Sequence, residues 1–193
     1  MQVRSIAMAD TPVPATAVEL SELARLVRRA QGGDPAAFGA LHARFAPSVH
    51  AVLLARLRPA DADDALQETF VLAWKRLAAL RDADAIGPWL HAIARRAAAD
   101  RGREPRAAGE PLLEIPARSD AGGSERGELR ERVMEHLRSL PDAYKETLAM
   151  RLVEGMTGPE IASATGLTSA SVRVNLCRGM ALLRERLEKE GWP

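Results

Sequence analysis

Apolar residues recur every three or four positions between residues 18 and 31, which is the spacing of one face of an α-helix. A Gly-Gly pair ends this pattern. Asp34-Pro35 follows, with a residue suited to cap a helix and a proline suited to the first helical turn. The pattern therefore predicts helices over 18–31 and 35–57, and Pro47 predicts a kink or an interruption in the second helix.

Two further helices are predicted in the first half of the chain, over 61–80 and from Pro88 to about residue 103, with a short loop at 81–87 between them. Pro59 separates them from the preceding helix. The third helix is apolar along one face, at Leu66, Phe70, Ala73 and Leu77. The fourth helix repeats apolar residues at Trp89, Ile93 and Ala97. Both helices are thus amphipathic, as helices that pack in a bundle are.

Residues 105–123, PRAAGEPLLEIPARSDAGG, interrupt the helical pattern with three prolines and three glycines. This composition predicts a flexible linker. Residues 1–17 are small and polar and include two prolines, which predicts a disordered tail. The expected fold is therefore all-α, with two small helical domains at 18–104 and 124–193 that make few mutual contacts.

Helical spacing resumes after the linker in two helices that end at Pro141 and Gly155. Thr157 and Glu160 then have the spacing of a capping box, in which each side chain satisfies the backbone N–H of the other residue. A short helix, a glycine and a second threonine cap precede a long last helix over 169–189. A short helix, a glycine turn and a long helix form the helix-turn-helix plan.

The last helix has one face suited to a core and another suited to DNA. The core of the motif is predicted at Ile161, Ala162, Leu167, Val172 and Leu176. The opposite side of the last helix carries Ala170, Ser171, Val174, Cys177 and Arg178, flanked by Arg173 and Asn175. A recognition helix reads bases from its N-terminal residues, where Arg and Asn contact guanine and adenine. DNA binding is the favoured interpretation, and the alternative is a helical hairpin with solvated polar residues.

The charge of the chain is informative locally rather than in bulk. Its net charge is only +1, so the whole chain does not have the strong positive charge of many nucleic-acid binders. Acidic residues cluster at Asp61, Asp63, Asp64 and Glu68, and basic residues at Arg95, Arg96, Arg101, Arg103 and Arg106. These clusters suit one cationic and one anionic partner, and the alternative is that they are ordinary solvated helix faces.

Several other chemistries find no support in the sequence. A single cysteine, Cys177, allows no intramolecular disulfide, and the four scattered histidines form no zinc-binding pattern. Cys177 is expected to be inert, with redox sensitivity as the alternative. No nucleophile–base pair or phosphate-binding loop indicates an enzyme, a cofactor or a small-molecule substrate. No apolar run is long enough to cross a bilayer and no signal pattern opens the chain, so a cytoplasmic protein is expected.

Three segments, in order along the chain, resemble the segments of one protein family. The first is Asp64-Ala65-Leu66-Gln67-Glu68-Thr69-Phe70 with Ala73-Trp74, and the second is Trp89-Leu90-His91-Ala92-Ile93-Ala94-Arg95-Arg96 with Asp100 and Arg103. The third comprises Leu140-Pro141, Glu154-Gly155-Met156-Thr157, Glu160-Ile161-Ala162, Ser171-Val172-Arg173, Arg178-Gly179 and Leu183-Arg184. They resemble regions 2.2, 2.3–2.4 and 4 of the extracytoplasmic-function (ECF) group of RNA polymerase sigma factors, in the sigma-70 superfamily.

The resemblance implies a transcription initiation factor that binds core RNA polymerase and promoter DNA. The residues implied to meet the basic β′ clamp of the polymerase are Asp64, Gln67 and Glu68. Those implied for the −10 element are Arg95, Arg96, Asp100 and Arg103, with the 81–87 loop and the start of the fourth helix capturing unstacked bases. Those implied for the −35 element are Ser169, Ser171, Arg173, Val174, Asn175 and Arg178. The resemblance also implies that the second domain meets the β flap, that the linker threads through the polymerase and that an anti-sigma factor is a partner.

The chain departs from the family pattern at three places, which affects the expected promoter sequence. Arg96 stands where the family usually has Asn, and Val174-Asn175 stands where it usually has Ser-Arg. The loop aromatic often found near Ile86 is absent. Two alternatives stay open: a sigma-like decoy that binds an anti-sigma factor without reading DNA, and a helix-turn-helix regulator that does not bind polymerase.

Overall fold

The computed structural model describes residues 17–103 and 125–191, and all the regular structure within these ranges is helical. The predicted tail before residue 17 and the predicted linker at 105–123 lie outside the described residues. The helices of the first range are α1 (Ala17–Gln31), α2 (Pro35–Leu54), α3 (Pro59–Arg76) and α4 (Ile86–Arg103). Those of the second range are α5 (Glu125–Arg138), α6 (Asp142–Leu152), α7 (Gly158–Thr165) and α8 (Ser169–Lys189). The all-α prediction is confirmed for these residues.

The helix ends follow the capping chemistry read from the sequence. The Asp34 side chain accepts hydrogen bonds from the backbone N–H groups of Ala36 and Ala37 at the start of α2. The capping box of Thr157 and Glu160 is present at the start of α7, with both reciprocal hydrogen bonds. Local signals therefore fix where these helices begin, because each cap satisfies N–H groups that have no partner inside the helix.

At three prolines the helices differ from the sequence prediction, and α2 and α3 also end earlier than predicted, at Leu54 and Arg76. Helix α2 is not interrupted at Pro47; proline removes only one donor, and tertiary packing around the helix offsets that loss. Helix α3 begins at Pro59 rather than after it. Helix α4 begins at Ile86, so Pro88 lies in its first turn instead of starting it. A proline in the first turn costs little, since the N–H that it lacks would have no helical acceptor.

The two halves share one hydrophobic core, so the prediction of few mutual contacts is wrong for this structure. Buried residues of α2, α4, α6 and α7 belong to a single continuous cluster. The end of α2 is buried around its whole circumference, at Val49, Ala51, Val52, Leu53 and Leu54. A helix packed on one side buries only one stripe. The sequence does contain a signal of this burial, because residues 51–55 are all apolar. The prediction missed it because it looked for only one apolar face on each helix.

Candidate nucleic-acid and protein interfaces

The helix-turn-helix is formed by α7, a left-handed glycine at the turn and α8. Gly166 has φ +73°, a conformation that L side chains rarely adopt, and it ends α7. The Thr168 hydroxyl then accepts a hydrogen bond from the N–H of Ser171 and begins α8. The turn therefore redirects the chain between α7 and α8, as in a helix-turn-helix motif.

The exposed face of α8 carries most of the residues expected to read DNA. Ser169, Arg173, Val174 and Arg178 are exposed, and Ser171 and Asn175 are half-buried. The Ser171 hydroxyl lies 2.8 Å from that of Thr168, so part of its hydrogen-bonding capacity is used in the cap. Arg173 and Arg178 are exposed hydrogen-bond donors on this face, whereas Val174, which is 44% exposed, offers only apolar contact.

The opposite face of α8 packs on α6 at close range. Val172, Gly179 and Leu183 are buried, as expected for the inner face. A Cβ added at Gly179 would lie 2.9 Å from Leu148 Cδ1 and 3.1 Å from Tyr144 Cβ, so glycine permits the close approach of the two helices. Leu167 was expected in this core and is 40% exposed instead. It follows Gly166 in the turn, where helical spacing does not determine which way a side chain points.

The acidic face of α3 presents Asp64, Gln67 and Glu68, all exposed as expected. Arg101 of α4 spans two of them: its Nη2 lies 2.6 Å from Glu68 Oε1 and its Nη1 lies 3.9 Å from Asp64 Oδ2. The hydrogen bond to Glu68 raises the pKa of Arg101. The sequence places Arg101 in the basic cluster. In the structure its side chain also binds two carboxylates of the acidic face and so helps to hold them in place.

Two large apolar side chains adjoin this acidic face and were not assigned to it from the sequence. Val71 is 55% exposed and Trp74 is 39% exposed, and Val71 follows Gln67 by one helical turn. Phe38 packs edge-on against the Trp74 ring, with centroids 4.8 Å apart, which limits the rotamers open to Trp74. The face therefore combines carboxylates with a partly fixed apolar surface, a composition that suits a protein partner.

The four residues expected at the −10 element have different environments on α4. Arg96 is exposed and lies 3.9 Å from Asp100 on the same helix. Arg95 is half-exposed and is bound by Glu146 of α6. The side chain of Arg103 lies outside the described residues. Arg96 and Asp100 border an open groove between α3, α4 and α5, together with Arg58, Arg76, Arg101 and Trp89, so the structure groups arginines there that the sequence spreads over 44 positions.

The part of the chain that the structure describes has neither a metal-binding cluster nor a membrane-spanning helix. No group of three or more His, Cys, Asp or Glu side chains within 17–103 and 125–191 is arranged to hold a metal ion. Over the same residues, no helix has the length and apolar character to span a membrane. Cys177 is exposed on α8.

Known families match both halves of the chain. The family described as Sigma-70 region 2 matches residues 41–107, and the family described as Sigma-70, region 4 matches residues 130–183. These segments contain the acidic face of α3, the arginines of α4 and the helix-turn-helix.

Relatives and a solved structure are similar over most of the chain. A probable RNA polymerase sigma factor, RfaY of Xanthomonas campestris pv. campestris, is 32% identical in an alignment of 168 positions that covers 82% of this chain and 42% of the relative. The chain thus spans less than half the length of that relative. The ECF RNA polymerase sigma-E factor of Haemophilus influenzae is 27% identical in an alignment of 179 positions that covers 84% of this chain and 94% of that protein. The structure of CnrH in complex with the cytosolic domain of CnrY matches with 30% identity and a TM-score of 0.56, over 86% of this chain and 97% of CnrH.

Proposed function

Because the chain belongs to the extracytoplasmic-function group of the sigma-70 family, we propose that it binds core RNA polymerase and directs transcription initiation at specific promoters. The observation that carries the proposal is the combination of two surfaces on one chain. An acidic helix face with exposed apolar residues lies in the first half, and an exposed arginine face on a helix-turn-helix lies in the second. A regulator that only binds DNA has no need for the first surface.

The polymerase surface in this proposal is the acidic face of α3. Asp64, Gln67 and Glu68 would meet a basic surface of the β′ clamp, and Val71 and Trp74 would supply apolar contact beside them. Charge complementarity of this kind mainly sets association rate and specificity, while desolvated apolar contact adds affinity. The second half would meet the β flap.

The promoter surfaces in this proposal lie on α4 and α8. The −10 contacts are assigned to Arg95, Arg96, Asp100 and Arg103, with the 81–87 loop and the start of α4 capturing unstacked bases. The −35 contacts are assigned to Ser169, Ser171, Arg173, Val174, Asn175 and Arg178. Exposed arginines on both helices support these assignments, since such side chains bind phosphates and base edges. Arg96, Val174 and Asn175 are where promoter choice should differ from that of other family members.

A regulatory protein partner is also part of the proposal. CnrH, a relative at 30% identity, was solved in complex with the cytosolic domain of another protein, CnrY. This supports an anti-sigma factor as the partner that controls the present chain. Such a partner would act by covering the polymerase or DNA surfaces.

The experiment that tests the proposal is run-off transcription with purified core polymerase and fragmented genomic DNA. The parent chain is expected to produce discrete transcripts that core polymerase alone does not produce. If the chain binds polymerase but yields no such transcripts at any promoter fragment, the decoy alternative replaces this function.

The polymerase surface is tested by the double variant Gln67→Ala with Glu68→Ala. Its affinity for core polymerase is expected to fall, while its thermal melting changes little, because the Glu68–Arg101 ion pair is exposed and contributes at most about 1 kcal/mol. The matched control is Glu185→Ala with Glu188→Ala, two exposed residues near the end of α8. Equal affinities for the variant, the control and the parent would refute the assignment of the acidic face.

A further inference from the structure

We propose that α8 selects thymine in the −35 element through its methyl group, and that Val174 is the residue that makes this contact. The assignment rests on the proposed function, in which α8 enters the major groove of promoter DNA, and it adds which base is chosen there. The position of Val174 on the helix, its exposure and the state of the polar side chains around it all support the assignment.

The direction of Val174 follows from the buried side of α8. Val172, Gly179 and Leu183 are the buried residues of this helix, and at about 100° per residue they lie within roughly 40° of one another. On the same count Val174 lies about 160° from Val172. Its side chain therefore points almost directly away from the rest of the domain, towards a molecule that docks on α8.

The centre of the outward side of α8 is apolar. Val174 is 44% exposed, and Ala170, Cys177 and Ala181 are exposed on the same side. A valine side chain has no hydrogen-bond donor or acceptor, so it cannot bind the polar atoms of a base edge. The C5 methyl group of thymine is the apolar group that a base presents in the major groove, and it is therefore the group that suits Val174.

The polar residues near Val174 do not occupy this central position. The Ser171 hydroxyl lies 2.8 Å from the Thr168 hydroxyl, in the cap that begins α8. Asn175 is half-buried and lies about 60° from Val172 around the helix, on the inner side. Hydrogen-bonding side chains thus leave the centre of the outward side to Val174.

Two arginines flank Val174 on opposite sides. Arg173 and Arg178 are exposed, and they lie roughly 100° and 40° from Val174 in opposite directions around the helix. Guanidinium groups in these places can bind phosphates or a guanine edge, which would hold Val174 against the floor of the groove. The arrangement predicts a thymine, on one strand or the other, beside the positions that the arginines contact.

The test compares thymine with deoxyuracil, which lacks only the C5 methyl group. The holoenzyme first selects its −35 sequence from a randomised pool of duplexes, and each selected thymine is then replaced singly by deoxyuracil. At one position the replacement is expected to weaken binding about fourfold, the effect of removing one buried methyl group. At that position 5-methylcytosine should likewise bind more tightly than cytosine, since these bases also differ by that methyl group alone.

The variant Val174→Ala assigns the contact to its residue. It should bind the thymine and deoxyuracil duplexes alike, because the shorter side chain no longer reaches the methyl group. Its thermal melting should match that of the parent, because Val174 is a surface residue. The parent's preference for thymine should also be the same at low and high salt, since a methyl contact releases no counterions, unlike a phosphate contact.

The matched control is Met180→Ala, which shortens another exposed apolar side chain of α8. Met180 is 37% exposed and lies further from the N-terminus of the helix, where a recognition helix contacts fewer bases. This variant should keep the parent's preference for thymine over deoxyuracil. Loss of the preference in both variants would show that it does not depend on Val174 in particular, and would overturn the assignment.

Other outcomes separate the failure of this assignment from the failure of the proposed function. A selected −35 element without thymine, or thymines that deoxyuracil replaces without loss of affinity, would overturn the assignment, as would a Val174→Ala chain that keeps the preference. The selection and titrations are repeated with the free full chain at low salt. A thymine preference from a chain that does not bind core polymerase would refute the proposed function and leave the assignment standing, while duplex binding by neither form would refute both.

Discussion

Single residues decide what each surface of this protein can bind, and two arginines in the first half of α8 illustrate how. Arg173 and Arg178 are both exposed, but five residues separate them, which places them roughly 140° apart around the helix. They cannot make the same contact with a DNA duplex. One is therefore expected to contact a phosphate and the other a base edge, with Arg178 nearer the centre of the groove-facing side.

The first prediction is that Arg173→Ala and Arg178→Ala weaken −35 binding in two different ways. Loss of a phosphate contact should weaken binding to all sequences alike and flatten its salt dependence. Loss of a base contact should cost about 1–3 kcal/mol and relax the preference at one position. The measurement is holoenzyme binding to matched and randomised −35 sequences across a range of salt concentrations.

Arg184→Ala is the control, since Arg184 is an exposed arginine of α8 further from its N-terminus. It should resemble the parent in sequence preference. Parent-like binding by both test variants at every salt concentration would exclude α8 as the reading helix and make the decoy alternative the better one.

At the scale of elements, glycines inside helices have opposite effects depending on what lies next to them. Gly39 lies in the second turn of α2 and Gly179 in the middle of α8. A Cβ at Gly39 would meet nothing within 4 Å, whereas a Cβ at Gly179 would meet Leu148 and Tyr144 of α6. Leu148 is fully buried, so it has little room to move away.

The second prediction follows from this difference. Gly39→Ala should raise the free energy of unfolding by about 1 kcal/mol, because alanine restricts the unfolded chain and favours the helix. Gly179→Ala should lower it by about 1–3 kcal/mol, because it overpacks the contact between α6 and α8. Chemical denaturation of both variants beside the parent measures the two effects, and a stabilised Gly179→Ala chain would contradict the packing described here.

At the scale of the whole molecule, the two halves are joined in part by a titratable group. His50 Nδ1 lies 2.9 Å from Glu154 Oε1 across the halves, and its Nε2 lies 3.2 Å from Asp63 Oδ1 of α3. The pKa of His50 is raised, chiefly by its hydrogen bond to Glu154. Burial lowers this pKa in part, and the negative charges of Glu154 and Asp63 raise it further. The cationic form of His50 is thus the one that stabilises the packing of the two halves.

The third prediction is that the contribution of His50 is lost as pH rises. A group whose pKa is raised on folding stabilises the folded chain fully below its unfolded value, here 6.5, and loses that contribution as pH rises through the folded value. The radius of gyration should therefore increase as pH rises above 6.5, with an energetic effect of about 1 kcal/mol or less because the pair is partly solvated.

His50→Gln is the variant that isolates this contribution, because another histidine titrates in the opposite sense. Burial, chiefly, lowers the pKa of His91 to about 4, so His91 destabilises the fold as pH falls below its unfolded value. His91 bonds to Ser48 within the first half. Because His91 is present in both the parent and the His50→Gln variant, its effect cancels when the two are compared. If the parent and His50→Gln change in radius alike with pH, His50 does not hold the halves together.

The sequence by itself determined the helices, their caps and the order of the functional segments. The capping box at Thr157, the cap at Asp34 and the exposed face of α8 all follow from spacings of five residues or fewer, and such local geometry is nearly independent of the rest of the fold. The family segments could be recognised for the same reason, as they too are short local patterns.

Only the tertiary structure decided how the halves pack and what that does to the candidate sites. Arg95 and Glu146 are 51 residues apart in sequence, and His50 and Glu154 are 104 apart. No periodicity relates residues at such separations, so their pairing depends on the way α2 is buried from several sides at once. The exposure of Leu167 and the continuity of α2 through Pro47 likewise depend on neighbours from other elements. Tertiary contacts thus leave the arginines of α8 exposed and hold Arg95 against a carboxylate of the same chain.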